Sequence, residues 1–195
     1  MNSNSDPIKR FQLLWDQARE SSAVQLKSAV CISTIDENGF PQARFVDLKQ
    51  ADEGGFVFCT DYQSSKGQEL LNNPKAALTI WWEHLSTQVR ITGTAATIPT
   101  AAAEKFWHDR TYDAKLTSLA SQQSQELHSD HDLIQLLTTL QVQHHESDIP
   151  KPASWGGFVI SPIKIEFLLF KEDRMHQRDL YIKQQDHWQK KHLQP

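Results

Sequence analysis

Apolar and polar residues follow two different periods along this chain, and the period changes soon after the first segment. That segment opens with Asp6-Pro7, an N-cap residue followed by a first-turn proline, and its apolar residues then recur every three or four positions. A first helix is therefore predicted from Pro7. The runs Ala29–Ile35, Gln42–Gln50 and Phe56–Thr60 are instead rich in β-branched and aromatic residues, and they predict three strands.

Turn signals connect these strands and bound the later helices. Asn38-Gly39 lies between the first two strands and is a strong hairpin signal. Ser64 or Ser65 begins a short helix that Pro74 prevents from continuing. Further strands are predicted at Ala76–Trp82, Gln88–Ile98, Phe158–Phe170, Leu180–Lys183 and Trp188–Leu193, and further helices from Pro99 and over Asp132–His144. Pro162 predicts a bulge or an edge in its strand.

Six or more strands without regular alternation of strand and helix favour an antiparallel barrel with helices packed outside it, a mainly β or α+β fold. The length suits one domain over 1–195, with 1–6 as a flexible tail. No apolar run is long enough to cross a membrane, and no secretory signal opens the chain. The two cysteines indicate reduced thiols in a cytoplasmic protein. The net charge of -4 argues against a nucleic-acid partner.

Several cations lie within or beside the predicted strands, where a charged side chain needs a partner. Arg44 and Lys49 are on the second strand. Lys66 follows Ser64-Ser65 at a helix start, where the helix dipole favours an anion. Together these residues predict a phosphate cradle. The alternative is that Lys49 and Lys66 are solvated lysines at the ends of a strand and a helix.

Two further segments carry candidate chemistry. Arg110 ends a predicted helix and suits a phosphate held through two hydrogen bonds, although a surface arginine fits the sequence as well. If the later segment is extended, Arg174, His176 and Arg178 lie on one strand face and require an anion or an aromatic ring opposite. The alternative is an exposed polar strand. The nine histidines lack cysteine or carboxylate partners at ligand spacing, so no metal site is predicted.

A series of short motifs occurs in one order along nearly the whole chain. They are Arg44-Phe45-Val46-Asp47-Leu48-Lys49, Ser64-Ser65-Lys66, Asn72-Asn73-Pro74, Gln88-Val89 with Gly93, His108-Asp109-Arg110, Gln123-Ser124, Trp155-Gly156-Gly157-Phe158, Ile165-Glu166-Phe167 and Arg174-Met175-His176-Gln177-Arg178. Each is weak alone, but their order and spacing resemble the pyridoxamine (pyridoxine) 5'-phosphate oxidase family. The resemblance implies a six-stranded antiparallel split β-barrel of Greek-key type with peripheral helices. It also implies a homodimer with FMN at the subunit interface.

The resemblance assigns roles to residues of these motifs. FMN would be held by Arg44, Lys49, Thr60, Ser64, Lys66, Gln88, Gln123, Ser124 and Arg178. The phosphorylated pyridine substrate would be bound by Lys49, Arg110, Arg174 and His176, with Lys49 and Arg110 at its phosphate and Arg174 and His176 as catalytic residues. In the family's reaction, a hydride moves from C4' of pyridoxine 5'-phosphate or pyridoxamine 5'-phosphate to FMN, and oxygen reoxidises the flavin. The products are pyridoxal 5'-phosphate and hydrogen peroxide.

Five positions assigned to the two ligands depart from the family pattern, and so does His192 in the C-terminal His192-Leu193-Gln194-Pro195, where the family's ending has an arginine. At the substrate phosphate, this chain has Phe106 where the family leads us to expect a tyrosine, and Ala114 where we expect a serine. Hydrogen bonds to a charged group are worth about 1.5–3 kcal/mol each, so their loss weakens phosphate binding. Around the flavin, Ser65, Cys59 and Leu168 occupy positions where the family leads us to expect an arginine, a tyrosine and a tryptophan, respectively.

Three hypotheses follow from these departures. The first is an oxidase of pyridoxine 5'-phosphate and pyridoxamine 5'-phosphate. The second is a family relative that uses FMN on another ring compound, and the third is a non-catalytic protein that binds FMN or pyridoxal 5'-phosphate. Arg174 and His176 favour an enzyme, whereas Phe106 and Ala114 favour the second hypothesis over the first. The complete order of the motifs leads us to expect the first.

Overall fold

The computed structural model of the chain describes residues 6–22, 25–144 and 149–195, so most of the tail expected at 1–6 lies outside the described residues. The helices of the described part are α1 (Pro7–Glu20), α2 (Ser65–Asn72), α3 (Thr100–His108), α4 (Tyr112–Ala120) and α5 (Asp130–Gln143). Its strands are β1 (Ala29–Ile35), β2 (Pro41–Asp52), β3 (Gly55–Asp61), β4 (Lys75–Trp82), β5 (Thr87–Thr97), β6 (Trp155–Leu169), β7 (Gln177–Gln184) and β8 (His187–Leu193).

Six of these strands close into an antiparallel barrel. β1, β2 and β3 form a meander, and β4 returns to pair with the free edge of β1. This order, β4-β1-β2-β3, is a Greek key. β4, β5 and β6 form a second meander, and the first half of β6 pairs with β3 to close the barrel. β7 pairs with the second half of β6, and β8 with β7, so two outer strands extend the sheet. The predicted fold class is confirmed.

α1 begins as predicted and contributes to the core of the barrel. The carboxylate of Asp6 accepts the N–H of Ile8 at 2.9 Å, and the first-turn proline follows directly. The apolar face of the helix then packs on the strands: Phe11 is fully buried and meets Phe56 edge-on, with 4.9 Å between ring centroids. Burying one such side chain is worth roughly 1.5–3 kcal/mol. The apolar positions predicted for the first helix are therefore the ones that pack on the barrel.

A second apolar cluster joins α3, α4 and the start of β6. Trp107 of α3 meets Trp155 at 4.9 Å between ring centroids, and Leu116 of α4 is buried with them. The indole N–H of Trp107 donates to the carbonyl of Ile149 at 3.1 Å. α4 is absent from the sequence prediction because Leu116 is its one buried residue, which leaves little periodicity to detect. The one local signal in the sequence for the start of α4 is its N-cap residue, Thr111.

Close backbone contacts shape β6. The ladder between β5 and β6 shifts beside Gly93, which faces Pro162, so the predicted bulge is confirmed. A Cβ on Gly93 would lie 2.2 Å from the carbonyl oxygen of Ser161, which leaves room for glycine alone. Near the start of β6, the Tyr62 hydroxyl accepts the N–H of Gly157 and donates to its carbonyl, both at 3.1 Å. These bonds join the turn before α2 to β6.

Candidate functional site

Two clefts of about 520 Å³ each lie beside β2. The first, which we call the α4 cleft, is lined by Asp47, Cys59, Thr60, Arg110, Ala114 and Ser118, among others. The second, the α2 cleft, is lined by Arg44, Ser65, Glu69 and Ser124, among others. Phe45, Lys66 and Gln123 line both of them. The two clefts therefore form one continuous recess.

Arg44 reaches the α2 cleft from the middle of β2. Its guanidinium donates to the carboxylate of Glu69 at 2.9 Å and also to the hydroxyl of Thr34. The Thr34 hydroxyl donates in turn to Glu69. Side chains from β1, β2 and α2 thus fix the direction of this cation. Glu69 offsets part of the positive charge that Arg44 brings to the cleft.

Lys66 is buried where the two clefts meet. Its ammonium donates to the hydroxyl of Ser64 and to the side-chain carbonyl of Gln123, both at 3.0 Å. The hydroxyl of Thr60 donates to the same Gln123 oxygen at 3.1 Å. Ser64 is the N-cap of α2, where its hydroxyl accepts the N–H of Gly67. The start of α2 therefore presents a buried cation among hydroxyl groups.

The electrostatics of this region favour an anion. Burial, followed by the nearby charge of Arg44, lowers the pKa of Lys66 to about 8, against the opposing effects of Asp61 and Glu69. Arg44 and Lys66 repel each other, and an anion bound between them stabilises the charged form of both. The N–H groups at the first turn of α2 add to the attraction. The α2 cleft therefore suits a phosphate group.

Arg110 lies on the wall of the α4 cleft between two indole rings, 5.6 Å from the centroid of Trp107 and 5.1 Å from that of Trp155. Its Nη2 donates to the carbonyl of Ala114 at 2.8 Å and to the hydroxyl of Ser118 at 2.9 Å. Burial lowers its pKa, although a guanidinium stays charged at neutral pH. Its Nε is buried and has no hydrogen-bond partner in the described part of the chain. The surroundings hold a planar cation at a fixed place.

Lys49 lies beside the clefts rather than in their walls. It sits at a bulge, where the ladder between β2 and β3 shifts between Leu48 and Gln50. Its ammonium pairs with the carboxylate of Asp47 at 2.5 Å. Its charge reaches the thiol of Cys59. Burial raises the pKa of that thiol to about 11, and the positive charge of Lys49 opposes this shift. The side chain thus stands near the α4 cleft, held by an acidic neighbour.

Gln88 and Arg178 lie in a different place, on a row that crosses three neighbouring strands. Gln88 of β5 faces Leu168 of β6, which faces Arg178 of β7. Arg178 donates to the carboxylate of Glu166 through Nε at 2.8 Å. Arg90 also contacts that carboxylate, at 3.4 Å. Glu166 therefore fixes the direction of the Arg178 guanidinium.

The segment before β7 is a turn, so Arg174, His176 and Arg178 do not share one face of an extended strand, the arrangement considered in the sequence analysis. Arg174 has φ of 64°, in the left-handed region. The Asp173 carboxylate accepts the backbone N–H two residues further on at 2.9 Å. The Nδ1 atom of His176 accepts another backbone N–H at 3.1 Å. Such local side-chain bonds compete with a strand ladder and favour the turn.

This turn completes an exposed aromatic patch. The ring of His176 lies 4.9 Å from that of Phe170, which lies 5.0 Å from that of Trp81. Trp81, Phe170 and Met175 are all exposed. Trp81 faces Gln88 across β4 and β5, so the patch adjoins the row that ends at β7. We call the row and the patch together the β7 surface.

Strand β6 connects the α4 cleft to the β7 surface, and the two places lie near opposite ends of this strand. Gly157 pairs with Cys59 beside the α4 cleft, and Leu168 lies in the β7 surface. Between them β6 runs for about 35 Å of extended strand. Gln88, Arg174, His176 and Arg178 line neither cleft. The structure therefore brings the predicted site residues together in two groups, not one.

Comparison with protein families settles what kind of protein carries these two groups. A family profile described as "Pyridoxamine 5'-phosphate oxidase" matches residues 16–140, and one described as "Pyridoxine 5'-phosphate oxidase C-terminal dimerisation region" matches residues 155–195. The chain belongs to the pyridoxamine 5'-phosphate oxidase family. Membership makes it an oxidase of this type, and proteins of the family bind FMN. The match to the dimerisation region indicates a homodimer.

Curated relatives match this chain over almost its full length. The pyridoxine/pyridoxamine 5'-phosphate oxidase of Thermosynechococcus vestitus is 38% identical over 190 residues, 97% of this chain and 89% of that protein. The one from a Cyanothece species is 36% identical with the same coverage. The one from Haemophilus influenzae is 35% identical over 192 residues, 98% of this chain and 90% of that protein.

Solved structures share the fold. PhzG from Burkholderia lata, in complex with tetrahydrophenazine-1-carboxylic acid, has a TM-score of 0.89 and 29% identity, and covers 98% of this chain and 93% of its own. An FMN-binding protein from Nostoc punctiforme related to pyridoxamine 5'-phosphate oxidase has a TM-score of 0.80 at 15% identity, with 97% and 98% covered. Among the described residues of this chain, no helix could span a membrane and no group of three or more His, Cys, Asp or Glu side chains could hold a metal ion.

Two side chains that line the recess and hydrogen-bond its arginines were not among the candidates from the sequence. Glu69, which binds Arg44, lies four residues after Ser65 on α2, and Ser118, which binds Arg110, lies four residues after Ala114 on α4. Helical spacing was the available signal in both cases. For Ser118 that signal required α4, which the sequence pattern did not reveal.

Proposed function

We propose that this protein is an FMN-dependent oxidase that converts pyridoxine 5'-phosphate or pyridoxamine 5'-phosphate to pyridoxal 5'-phosphate, with oxygen as the electron acceptor. The observation that carries the proposal is one continuous recess with Arg44 toward one end, Lys66 where the two clefts meet, and Arg110 toward the other end. Such a recess suits two phosphorylated ligands side by side. Relatives at 35–38% identity are named for this activity, which supports the proposal.

The donors of the α2 cleft fit the phosphate of FMN. Arg44 and Lys66 supply two cations, and Ser64 stands at the helix start beside them. Thr60, Gln123 and Ser124 are assigned to the same ligand, along with Lys49. When bound, FMN supplies hydride acceptance from the substrate and electron transfer to oxygen. The protein binds and orients both ligands, and no side chain needs to act as a nucleophile.

Arg110 and Lys49 are assigned to the substrate phosphate. The rings of Trp107 and Trp155 already fix the side chain of Arg110. Arg110 therefore loses less conformational entropy when it binds an anion. Arg174 and His176 are assigned to the substrate ring as catalytic residues. A guanidinium over the ring stabilises negative charge that develops there during oxidation.

A homodimer reconciles these assignments with the separation of the two groups. A two-fold axis that seats the β7 surface of one subunit over the recess of its partner forms two equal sites. Gln88 and Arg178 then complete the flavin site, and Arg174 and His176 complete the substrate site. The exposed aromatic patch of Trp81, Phe170 and Met175 gives this surface apolar area to bury.

A second candidate function is oxidation of a ring compound without a phosphate. Phe106 and Ala114 provide no hydroxyl to the acid group. The α4 cleft is also lined by three carboxylates, of Asp47, Asp61 and Asp113, which disfavour a doubly charged ligand. PhzG, at 29% identity, binds a ring with a single carboxylate.

Turnover with a panel of substrates tests the two candidates. Protein loaded with FMN is mixed in air with pyridoxine 5'-phosphate, pyridoxamine 5'-phosphate, pyridoxine and tetrahydrophenazine-1-carboxylic acid, and hydrogen peroxide is measured. Our proposal predicts peroxide and pyridoxal 5'-phosphate from the two phosphorylated compounds. Peroxide only from the carboxylate or from pyridoxine would favour the second candidate, and peroxide from none would contradict both.

A further inference from the structure

Ser118 is the hydroxyl side chain that contacts Arg110 in the α4 cleft. Nη2 of Arg110 donates to the Ser118 hydroxyl at 2.9 Å, and that hydroxyl donates to the Ala114 carbonyl at 2.9 Å. The same Nη2 also donates to this carbonyl, at 2.8 Å. Ser118 is half-buried and lines the cleft. A hydroxyl and a guanidinium therefore stand side by side at one point of the wall.

The position of Ser118 on α4 explains how it can replace a missing group. Residues four apart lie on the same face of a helix, one turn along, so Ser118 follows Ala114 on the face toward Arg110. Ala114 has no hydroxyl, and Phe106 has none either. The hydroxyl that this clamp lacks at position 114 is present one turn later.

We propose that Ser118, together with Arg110, anchors the acid group of the substrate and is a specificity-determining residue of this enzyme. This inference rests on the proposed function and deepens it. The Ser118 O–H is directed to a backbone carbonyl in the free cleft, and it turns to donate to an oxygen of the bound acid group. A charged acceptor is the stronger partner, which favours that change. A phosphate and a carboxylate share this chemistry.

Ser118→Ala tests the anchor in steady-state kinetics. We expect the KM for pyridoxine 5'-phosphate to rise about tenfold to a hundredfold with little change in kcat, since the lost hydrogen bond holds a charged group that does not react. The KM for unphosphorylated pyridoxine should stay the same. Thr138→Ala is the matched control, because the Thr138 hydroxyl likewise donates to the carbonyl four residues earlier, at 2.9 Å, on α5 outside both clefts.

A second variant separates an anchor from a structural role. Adding Ala114→Ser to Ser118→Ala returns a hydroxyl to the same face of α4, and we expect at least partial recovery of the KM. An equal loss for phosphorylated and unphosphorylated substrates, or an unchanged KM for the phosphorylated one, would overturn the anchor. No recovery in the double variant would also overturn it.

Binding measurements keep this inference distinct from the proposed function. Calorimetric titration of the FMN-loaded protein with pyridoxal 5'-phosphate and with tetrahydrophenazine-1-carboxylic acid reports the anchor even if neither phosphorylated substrate is turned over. Weaker binding of either acid to Ser118→Ala than to wild type supports the anchor, and the acid affected identifies whether it is the phosphate or the carboxylate. Equal affinities of wild type and variant for both acids would overturn it.

Discussion

Lys66 is the buried cation of the proposed flavin site. Its ammonium is buried among Ser64 and Gln123, and its pKa is lowered to about 8 by burial and by Arg44. The neutral form therefore becomes appreciable in mildly alkaline solution. A bound phosphate stabilises the charged form, so phosphate binding takes up a proton once the pH exceeds this pKa.

This coupling predicts that FMN affinity falls as the pH rises through 8. The dissociation constant should increase by at most about tenfold per pH unit above 8, because one proton is taken up, and should change little between pH 7 and 7.5, where the phosphate of FMN is already mostly doubly ionised. Quenching of FMN fluorescence measures it directly. Lys66→Met should bind FMN more weakly and lose the pH dependence. Arg44→Met should also weaken binding, but it should move the pH dependence to higher pH, because the charge of Arg44 lowers the pKa of Lys66. A wild-type affinity that is flat from pH 7 to 9 would contradict the assignment.

Ser65 gives a prediction in the opposite direction. It lines the α2 cleft at the position where an arginine is expected, while Glu69 offsets the charge of Arg44 in the same cleft. Ser65→Arg should therefore tighten FMN binding by about tenfold, the value of one added charged hydrogen bond. Ser65→Gln is the control for side-chain length. Equal affinity of the two variants would show that the phosphate lies out of reach of this position.

At the scale of elements, the strands were predictable because their signals are local. Alternating β-branched residues and an Asn-Gly turn define β1 and β2, and Pro162 marks the bulge in β6. α4 was not predictable, since a single buried residue, Leu116, gives no period. The turn at 171–176 falls between the predicted strands Phe158–Phe170 and Leu180–Lys183, and its hydrogen bonds to Asp173 and His176 are local in the sequence.

The bulge in β6 carries a prediction about stability. A Cβ at Gly93 would lie 2.2 Å from a backbone oxygen, and the strand that must move is the one that closes the barrel. Gly93→Ala should lower the free energy of unfolding by about 1–3 kcal/mol, as other overpacked sites do. Gly54→Ala is a matched control, because its Cβ would meet only the flexible carboxylate of Asp52. Urea unfolding compares them, and equal midpoints would contradict the packing argument.

For the whole molecule, the sequence named candidate site residues but not their division into two groups. The resemblance named Arg44, Lys66 and Arg110 together with Arg174 and Arg178 for a site at a subunit interface, without saying which of them group together on one subunit. The structure places the last two on the β7 surface. Sequence spacing carries no information on which subunit supplies a side chain, so this division required the fold.

Mixed dimers test whether the β7 surface serves the partner subunit. Arg110→Gln and Arg174→Gln should each lower activity strongly. When the two variants are refolded together, about a quarter of the sites carry neither change, so about a quarter of wild-type activity should return. A mixture of Arg110→Gln with Lys66→Met is the control, since both residues lie in one recess and every mixed site keeps a defect. No recovery in the first mixture would contradict the shared site.

The central claim is that a phosphorylated pyridine in this recess reduces bound FMN. We would add pyridoxine 5'-phosphate, and separately pyridoxamine 5'-phosphate, to the FMN-loaded protein without oxygen and follow the flavin absorbance near its visible maximum. We expect rapid bleaching that is stoichiometric with substrate and is reversed when air is admitted. A bound flavin that stays oxidised with both compounds would contradict it.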